Sequence, residues 1–410
     1  MSRIILHSDL NNFYASVECM LNPSLKGKDV AVCGNREDRH GIVLAKNQSA
    51  KLKGVKTGEA IWEAQLKCPD LVIVPPRFEE YLKYSRIVKK IYCDYTDLVE
   101  PYGMDECWLD VTGSAHLFGS GFEIAEMIRK RVFSETGLTV SVGVSFNKIF
   151  AKLGSDMKKP DAVTCINEED FREMVWNLDV SELLGVGRAT LNKLNKYNIS
   201  TIGELANSNP DFIKRWFGKC GVQLWRFANG KDFSSVLPAD CSIPAKSIGH
   251  GITCTSDLLS EDEIWRVILE LTIDISRKLR LSNKLASGIC VSVKNNKLQT
   301  KEFMCGMENP THNTLWLATA AFELLRQKYD LESPVRAVSV RAIRLVDEFC
   351  GNQLSFFGKE SEKDEKIESA MEGIRSRFGK YSITYATLLQ DLKMPKYKDA
   401  EIILPSFYHA

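Results

Sequence analysis

The sequence predicts a multi-domain α+β fold, and three observations carry that prediction. The first 165 residues read as βαββαβ once one excursion is set aside, a glycine-rich turn joins two helices near residue 186, and residues 247–345 repeat the βαββαβ order. At 410 residues the chain has room for two to four compact modules with cores of their own.

Taken in order, the opening strand Arg3–Asp9 is apolar and ends in a carboxylate, just before a helix-like run from Asn12 to Glu18. The excursion from Asn22 to Arg77 holds short strands at Asp29–Cys33 and Gly41–Ala45 and helical stretches at Lys46–Lys53 and Glu59–Leu66. Its extended Leu71–Pro76 is expected to return to the sheet. A helix follows near Phe78–Tyr95, then a strand near Leu98–Tyr102, the acid-bearing stretch Met104–Val111, a helix near Phe122–Glu135 and a strand at Leu138–Val144. With the excursion removed, this is the ferredoxin-like pattern.

In that pattern the first and third strands lie antiparallel at the centre of the sheet. The end of one therefore meets the start of the other, which brings Asp9 to Asp105 and Glu106 across nearly a hundred residues of chain. Successive strand residues point to opposite faces, so one of Asp105 and Glu106 is expected to face inward. Carboxylates gathered without a cation would repel and take up protons. Oxygen ligands on rigid strands suit Mg²⁺, which shares substrate phosphate oxygens, and two such ions roughly 4 Å apart can activate a hydroxyl and stabilise a leaving pyrophosphate. The pattern points to phosphoryl or nucleotidyl transfer, with Mn²⁺ an acceptable substitute ion.

Three stretches in this order, Asp9–Glu18, Met104–Glu106 and Gly143–Lys152, resemble the signatures of the Y-family translesion DNA polymerases, nearest to the bacterial DinB and UmuC branches. The resemblance spans roughly the first 350 residues. It implies a right-hand polymerase: a ferredoxin-like palm (1–21 and 78–166), small fingers (22–77), a helix-hairpin-helix thumb (167–231), a linker (232–246), a little finger (247–348) and a tail (349–410). It makes Asp9, Asp105 and Glu106 catalytic, and adds Leu10 to the ligands of two Mg²⁺ ions. Tyr14 becomes a steric gate beside Phe13, where a bulky ring would collide with a ribose 2′-hydroxyl. Ile42 would roof the nascent base pair, and Gln48, Lys51 and Lys159 would meet the triphosphate of a dNTP. Lys51 is closer to the UmuC pattern, and Gln48 departs from both branches.

Leu183–Leu194 reads as helix, glycine turn, helix. Gly185, Gly187 and Arg188 could hold a DNA phosphate at the second helix's N-terminus without reading bases. In the second βαββαβ unit, Ser276–Lys301 carries Arg277, Lys278, Arg280, Lys294 and Lys297 with no acid among them, and the last strand adds Arg336, Arg341 and Arg344. These are the expected contacts to primer-template DNA. In the tail, Gln353, Leu354, Phe356 and Phe357 resemble a sliding-clamp-binding peptide. Gly358–Glu368 is expected to be a charged, disorder-prone spacer, and Ile367–Phe378 an amphipathic helix.

A net charge of +1 confines any nucleic-acid surface to local patches. Twelve cysteines without a C-x-x-C pair argue for reduced thiols in the cytoplasm rather than a disulfide framework or a zinc site. No apolar run approaches the roughly twenty residues a membrane span needs. The reading is an error-prone, template-directed polymerase acting in damage bypass, monomeric and without room for a proofreading domain. A UmuD-like or recombinase partner is a further expectation if the UmuC features dominate. A nucleotide cyclase with the same palm, or a catalytically weak clamp-associated DNA scaffold, are the alternatives. A cyclase has no use for a helix-hairpin-helix, and a scaffold has none for three converging acids.

Overall fold

A computed structural model describes residues 3–39, 41–241, 244–331, 333–348 and 362–395. They form two compact units that divide near residue 242.

The first unit opens with β1 (Ile5–Leu10), wholly buried, and α1 (Phe13–Leu21). The excursion builds its own small sheet from β2 (Val30–Cys33), β3 (Val43–Lys46) and β4 (Val72–Val74), with α2 (Gln48–Leu52) and α3 (Ile61–Lys67) between them. Here the expectation that Leu71–Pro76 returns to the main sheet is corrected. β4 pairs in parallel with β2, Val30 opposite Val72, and the excursion gathers a separate core from Ala31, Val43, Ala50 and Leu71. Next come α4 (Phe78–Cys93), β5 (Val99–Tyr102), β6 (Glu106–Asp110), the single turn α5 (Ala115–Phe118) and α6 (Gly121–Thr136). Ser120 and Glu123 form a capping box that starts α6, and Gly137 in a left-handed conformation ends it. β7 (Val140–Ser145), α7 (Lys148–Met157) and β8 (Val163–Ile166) close the palm.

The palm sheet runs β5-β6-β1-β7-β8. Its first four strands have the predicted order; β8 is an added edge strand, parallel to β7. α7 lies directly on β7, so close that a Cβ on Gly143 would fall 1.9 Å from the Ala151 carbonyl oxygen. Only glycine permits that approach, and it sets the height of α7 above the acids.

The thumb comprises α8 (Phe171–Val175), α9 (Arg188–Lys196), α10 (Ile202–Asn207) and α11 (Pro210–Ala228), packed around Leu183, Leu194, Ile202, Leu205 and Ile213. Residues 230–239 are not a free tether. Val236 is buried with Ile5, Trp108 and Ala151, and Glu100, paired with Lys148 at 2.7 Å, accepts the Leu237 N–H at 3.0 Å.

The second unit contains β9 (Ser247–Leu258), α12 (Glu261–Leu281), β10 (Lys284–Asn295), β11 (Thr300–Thr311), α13 (Thr314–Lys328) and β12 (Val335–Asp347). The βαββαβ element order holds, but the sheet order β11-β10-β12-β9 differs from the palm's, with the second and fourth strands of the unit, β10 and β12, at its centre and α12 and α13 covering one face. α14 (Glu362–Phe378) corrects the expected spacer: Glu362–Glu368 is helical. Glu368 is buried, ion-paired with Arg280 at 2.7 Å and accepting from the Thr314 N–H and hydroxyl at 2.9 Å. A run of charges looks unstructured until its counter-charges are known, and these come from α12, almost ninety residues earlier.

Candidate active site

Cross-strand pairing places Asp9 directly opposite Glu106, as the topology requires. Asp105 lies in the turn before β6, where its carbonyl accepts the Leu10 N–H at 3.0 Å. Asp105 precedes β6, which begins at Glu106, and is therefore not held to the strand's alternation. Both are largely shielded from water.

Lysines from α7 and the segment after it meet these acids. Lys152 Nζ stands 2.9 Å from Glu106 and 3.9 Å from Asp9, and Lys159 Nζ stands 2.7 Å from Asp9 and 2.8 Å from Asp156. The electrostatics follow from burial. Desolvation, with Glu106 close by, pushes Asp105 up to about 6, and the same causes raise Asp9 against the pull of Lys159. Glu106 is held low despite burial by its contacts with His7 and Lys152. His7, wholly buried, is pushed down to about 4 by desolvation and is neutral at pH 7; its Nδ1 meets Ser155 Oγ at 2.8 Å and its ring edge meets Trp108.

Among the described residues, no three acidic, histidine or cysteine side chains stand close enough to grip an ion as a closed cage. The donor set nonetheless fits Mg²⁺. The acids are hard oxygen donors on rigid backbone, two of them are under-neutralised, and Mg²⁺ is ordinarily held by one or two carboxylates completed by substrate phosphates. Leu10 is buried between Asp9 and the first helix, and only its backbone can contribute.

Tyr14 is locked. Its ring stacks on Tyr81 at 4.3 Å and 9°, meets Phe78 edge-on, and its hydroxyl reaches Met104 Sδ at 3.3 Å. Tyr81 is fixed in turn by Glu18 at 2.7 Å. Phe13, by contrast, is a core residue at 3% exposure and cannot touch a nucleotide; the expected contact is corrected. Ile42 is 43% exposed and bridges Ala60, so it is no ordinary strand core residue. Gln48 and Lys51 lie on α2, half-buried and exposed respectively, with Lys51 close enough to depress Lys46 alongside burial.

Gly185 takes a left-handed φ of 95° at the thumb turn. Open space surrounds Gly187 at the start of α9, followed by exposed Arg188. In the little finger, Lys294 and Lys297 are exposed, as is Arg344, and Arg336 is half-buried. Arg277, Lys278 and Arg280 are engaged elsewhere: they pair with Glu372 at 3.1 Å, Asp274 at 2.7 Å and Glu368 at 2.7 Å. Arg341 meets Glu302 at 3.2 Å on the open sheet face, beside a shallow groove of about 350 Å³. Gln353, Leu354, Phe356 and Phe357 lie outside the described residues.

Sequence reasoning missed Lys152 as a bridging cation. The signal was there: Lys148, Lys152 and Asp156 recur at i, i+4, i+8 along one face of α7. His7 gave no signal, since its neighbour Glu106 is adjacent only across the sheet.

Such a palm defines a nucleotidyl-transferring enzyme. The impB/mucB/samB family model matches residues 8–156 and its C-terminal domain model residues 245–356, while a model described as DNA polymerase-iota, thumb domain, matches residues 181–232. The chain is 49% identical over 95% of its length to DNA polymerase IV of Acetivibrio thermocellus, covering 98% of that protein, and 36% identical to DNA polymerase IV 1 of Bacillus subtilis over 92% of this chain and 91% of that one. Among solved structures, a Y-family DNA polymerase chimera superposes with TM-score 0.75 at 25% identity, covering 84% of this chain and 99% of that one. The chain belongs to the Y-family of translesion DNA polymerases, on the DinB-like side, and is a DNA-directed DNA polymerase. Lys51 is therefore no marker of the UmuC branch.

Proposed function

We propose that Asp9, Asp105 and Glu106 hold the two divalent ions of nucleotidyl transfer, and that the chain adds dNTPs to a primer 3′-hydroxyl with release of pyrophosphate. The supporting observation is the pairing of Asp9 with Glu106 across β1 and β6, with Asp105 one residue away. When bound, Mg²⁺ supplies charge neutralisation for the hydroxyl and the phosphates. The protein's part is positional. Lys159, a quarter exposed, can release Asp9 and turn to the incoming triphosphate, while Lys152 stays behind to fix Glu106. Tyr14, unable to rotate away from Tyr81, excludes a 2′-hydroxyl. Ile42 covers the base pair, and Gln48 and Lys51 meet the outer phosphates.

Gly185, Gly187 and Arg188 grip duplex backbone, and Lys294, Lys297, Arg336, Arg341 and Arg344 supply a second contact. The segment Gln353–Phe357 binds the sliding clamp, and the thiols stay reduced in the cytoplasm; the eleven cysteines described are free.

Primer extension tests the site. Asp105→Ala should abolish extension with Mg²⁺ and Mn²⁺ while leaving duplex binding intact, and Tyr14→Ala should raise ribonucleotide incorporation. Extension by Asp105→Ala at the parent rate would remove that acid from the chemistry.

A further inference from the structure

The thumb carries an aromatic arrangement that neither its core nor its hairpin explains. Tyr197, just past α9, lies flat on Trp216 of α11 at 3.8 Å and 5°, and Phe212, one turn before Trp216, is near-parallel to it at 5.7 Å and 19°. Trp216 leans on the thumb core, but Tyr197 and Phe212 do not join it and are 39% and 54% exposed. Stacking on Trp216 stabilises the thumb, but the ring surface that stays in water adds nothing to folding, since its burial would be the favourable step.

Charge identifies what would cover them. From 188 to 219 the chain has six cations, Arg188, Lys193, Lys196, Lys214, Arg215 and Lys219, against two acids, Glu204 and Asp211. Glu204 is turned inward to cap α10, accepting from the Ser200 and Thr201 N–H groups. Lys193 donates to the Trp216 carbonyl and lies 4.7 Å over the Phe217 ring. The other five cations have no ion pair among the described residues. Parallel rings flanked by unpaired cations are the requirements of a single nucleic-acid strand: flat faces for bases and positive charge for its backbone.

We propose that Tyr197, Trp216 and Phe212 form a stacking platform for unpaired bases of single-stranded DNA. It extends the thumb reading above, in which the N-terminal end of α9 grips duplex. The nine residues of α9 set the platform about 14 Å from that end, a span of roughly four nucleotides of one strand. A strand leaving the gripped duplex would reach the rings within that length. Stacking does not read sequence, because every base has a π-face.

The full chain is titrated with three labelled probes: a twelve-residue oligo-dT, an abasic oligomer with the same phosphates, and a blunt duplex. The expected result is at least about tenfold tighter binding of oligo-dT than of the abasic strand. The Tyr197→Leu/Phe212→Leu double variant, which keeps apolar bulk, should lose that preference while binding the abasic strand and the duplex like the parent. Tyr197→Phe should retain it. Equal binding of the two single strands by the parent, or an unchanged preference in the double variant, overturns the platform. So does displacement of oligo-dT from the rings by poly-glutamate at equal charge, which would make the occupant an acidic protein. Arg188→Gln separates the two thumb readings: if it leaves duplex binding unchanged while the oligo-dT preference persists, the hairpin grip falls and the platform stands.

Discussion

In the thumb, Lys196, Lys214 and Arg215 stand in solvent without an ion pair among the described residues, whereas in the little finger Arg277, Lys278, Arg280 and Arg341 each meet a carboxylate. Both regions look basic in sequence, and the little finger looks more so. The difference lies in where the counter-charges come from. Glu368 and Glu372 of α14 reach back to α12 and convert its basic face into the seat of a helix, so charge density along the chain does not measure charge offered to DNA. Thumb cations should govern binding; the α12 cations should govern folding.

The largest expected effect is on the folding side. Arg280→Ala would strand Glu368, which is 8% exposed, and breaking such a pair costs about 3 kcal/mol. The unfolding transition of the second unit should fall by that amount, and amide exchange in α14 should quicken. The salt dependence of DNA binding should not change. Adding Glu368→Gln should recover part of the loss. A stability within 0.5 kcal/mol of the parent would show that α14 is not seated through this pair.

Acid should act on the same unit. Although burial opposes it, the Asp274 carboxyl is held down at about 2 by His250 Nδ1 at 2.9 Å and Lys278 at 2.7 Å, from an ordinary 3.8. A lowered folded-state pKa stabilises above the unfolded value and is lost as pH falls through the folded one. Roughly 2 kcal/mol should therefore disappear between pH 4 and pH 2. Asp274→Asn should flatten that part of the stability profile; an unchanged profile would refute the assignment.

On the binding side, Lys196→Gln/Lys214→Gln/Arg215→Gln should flatten the plot of log affinity against log salt by up to about one unit per cation lost, and leave stability within about 0.5 kcal/mol. A slope equal to the parent's would mean that these cations face water only. A loss of stability as large as that of Arg280→Ala would erase the contrast between the two regions.

How far the sequence reached follows the same division. The palm was legible because its elements are strongly periodic and because βαββαβ order alone brings Asp9 to Glu106. The thumb turn was legible from Gly185, which needs its positive φ. What was not legible depended on partners distant in sequence: β4 joining β2 instead of the palm sheet, Lys152 bridging two acids, Glu100 and Lys148 anchoring the Leu237 backbone, and Phe13 turned to the core while its neighbour Tyr14 lines the site. Reading Arg277 and Arg280 as free cations has the same origin, since Glu372 and Glu368 lie far along the chain, whereas the partner of Lys278, Asp274, stands four residues back, just outside the basic run. Within Ser276–Lys301 there is no acid to see.

Arg341 provides the finest test, because it is the little-finger cation whose pairing is weakest. Its partner Glu302 lies on the neighbouring open face of the sheet, with both side chains over 40% exposed, where ion pairs contribute at most about 1 kcal/mol to stability. Around the pair, Gly249, Gly251, Ser292 and Ser339 keep the face low, so a phosphate could approach the guanidinium if the carboxylate were absent. Glu302→Gln removes a negative charge without changing shape. The little finger should then behave more like the thumb, with DNA affinity rising a few-fold, the salt slope steepening by up to about one, and stability nearly unchanged. Unaltered affinity and slope would mean that Arg341 is turned to Cys290 and the sheet even when released, and that the second DNA contact rests on Lys294, Lys297 and Arg344 instead.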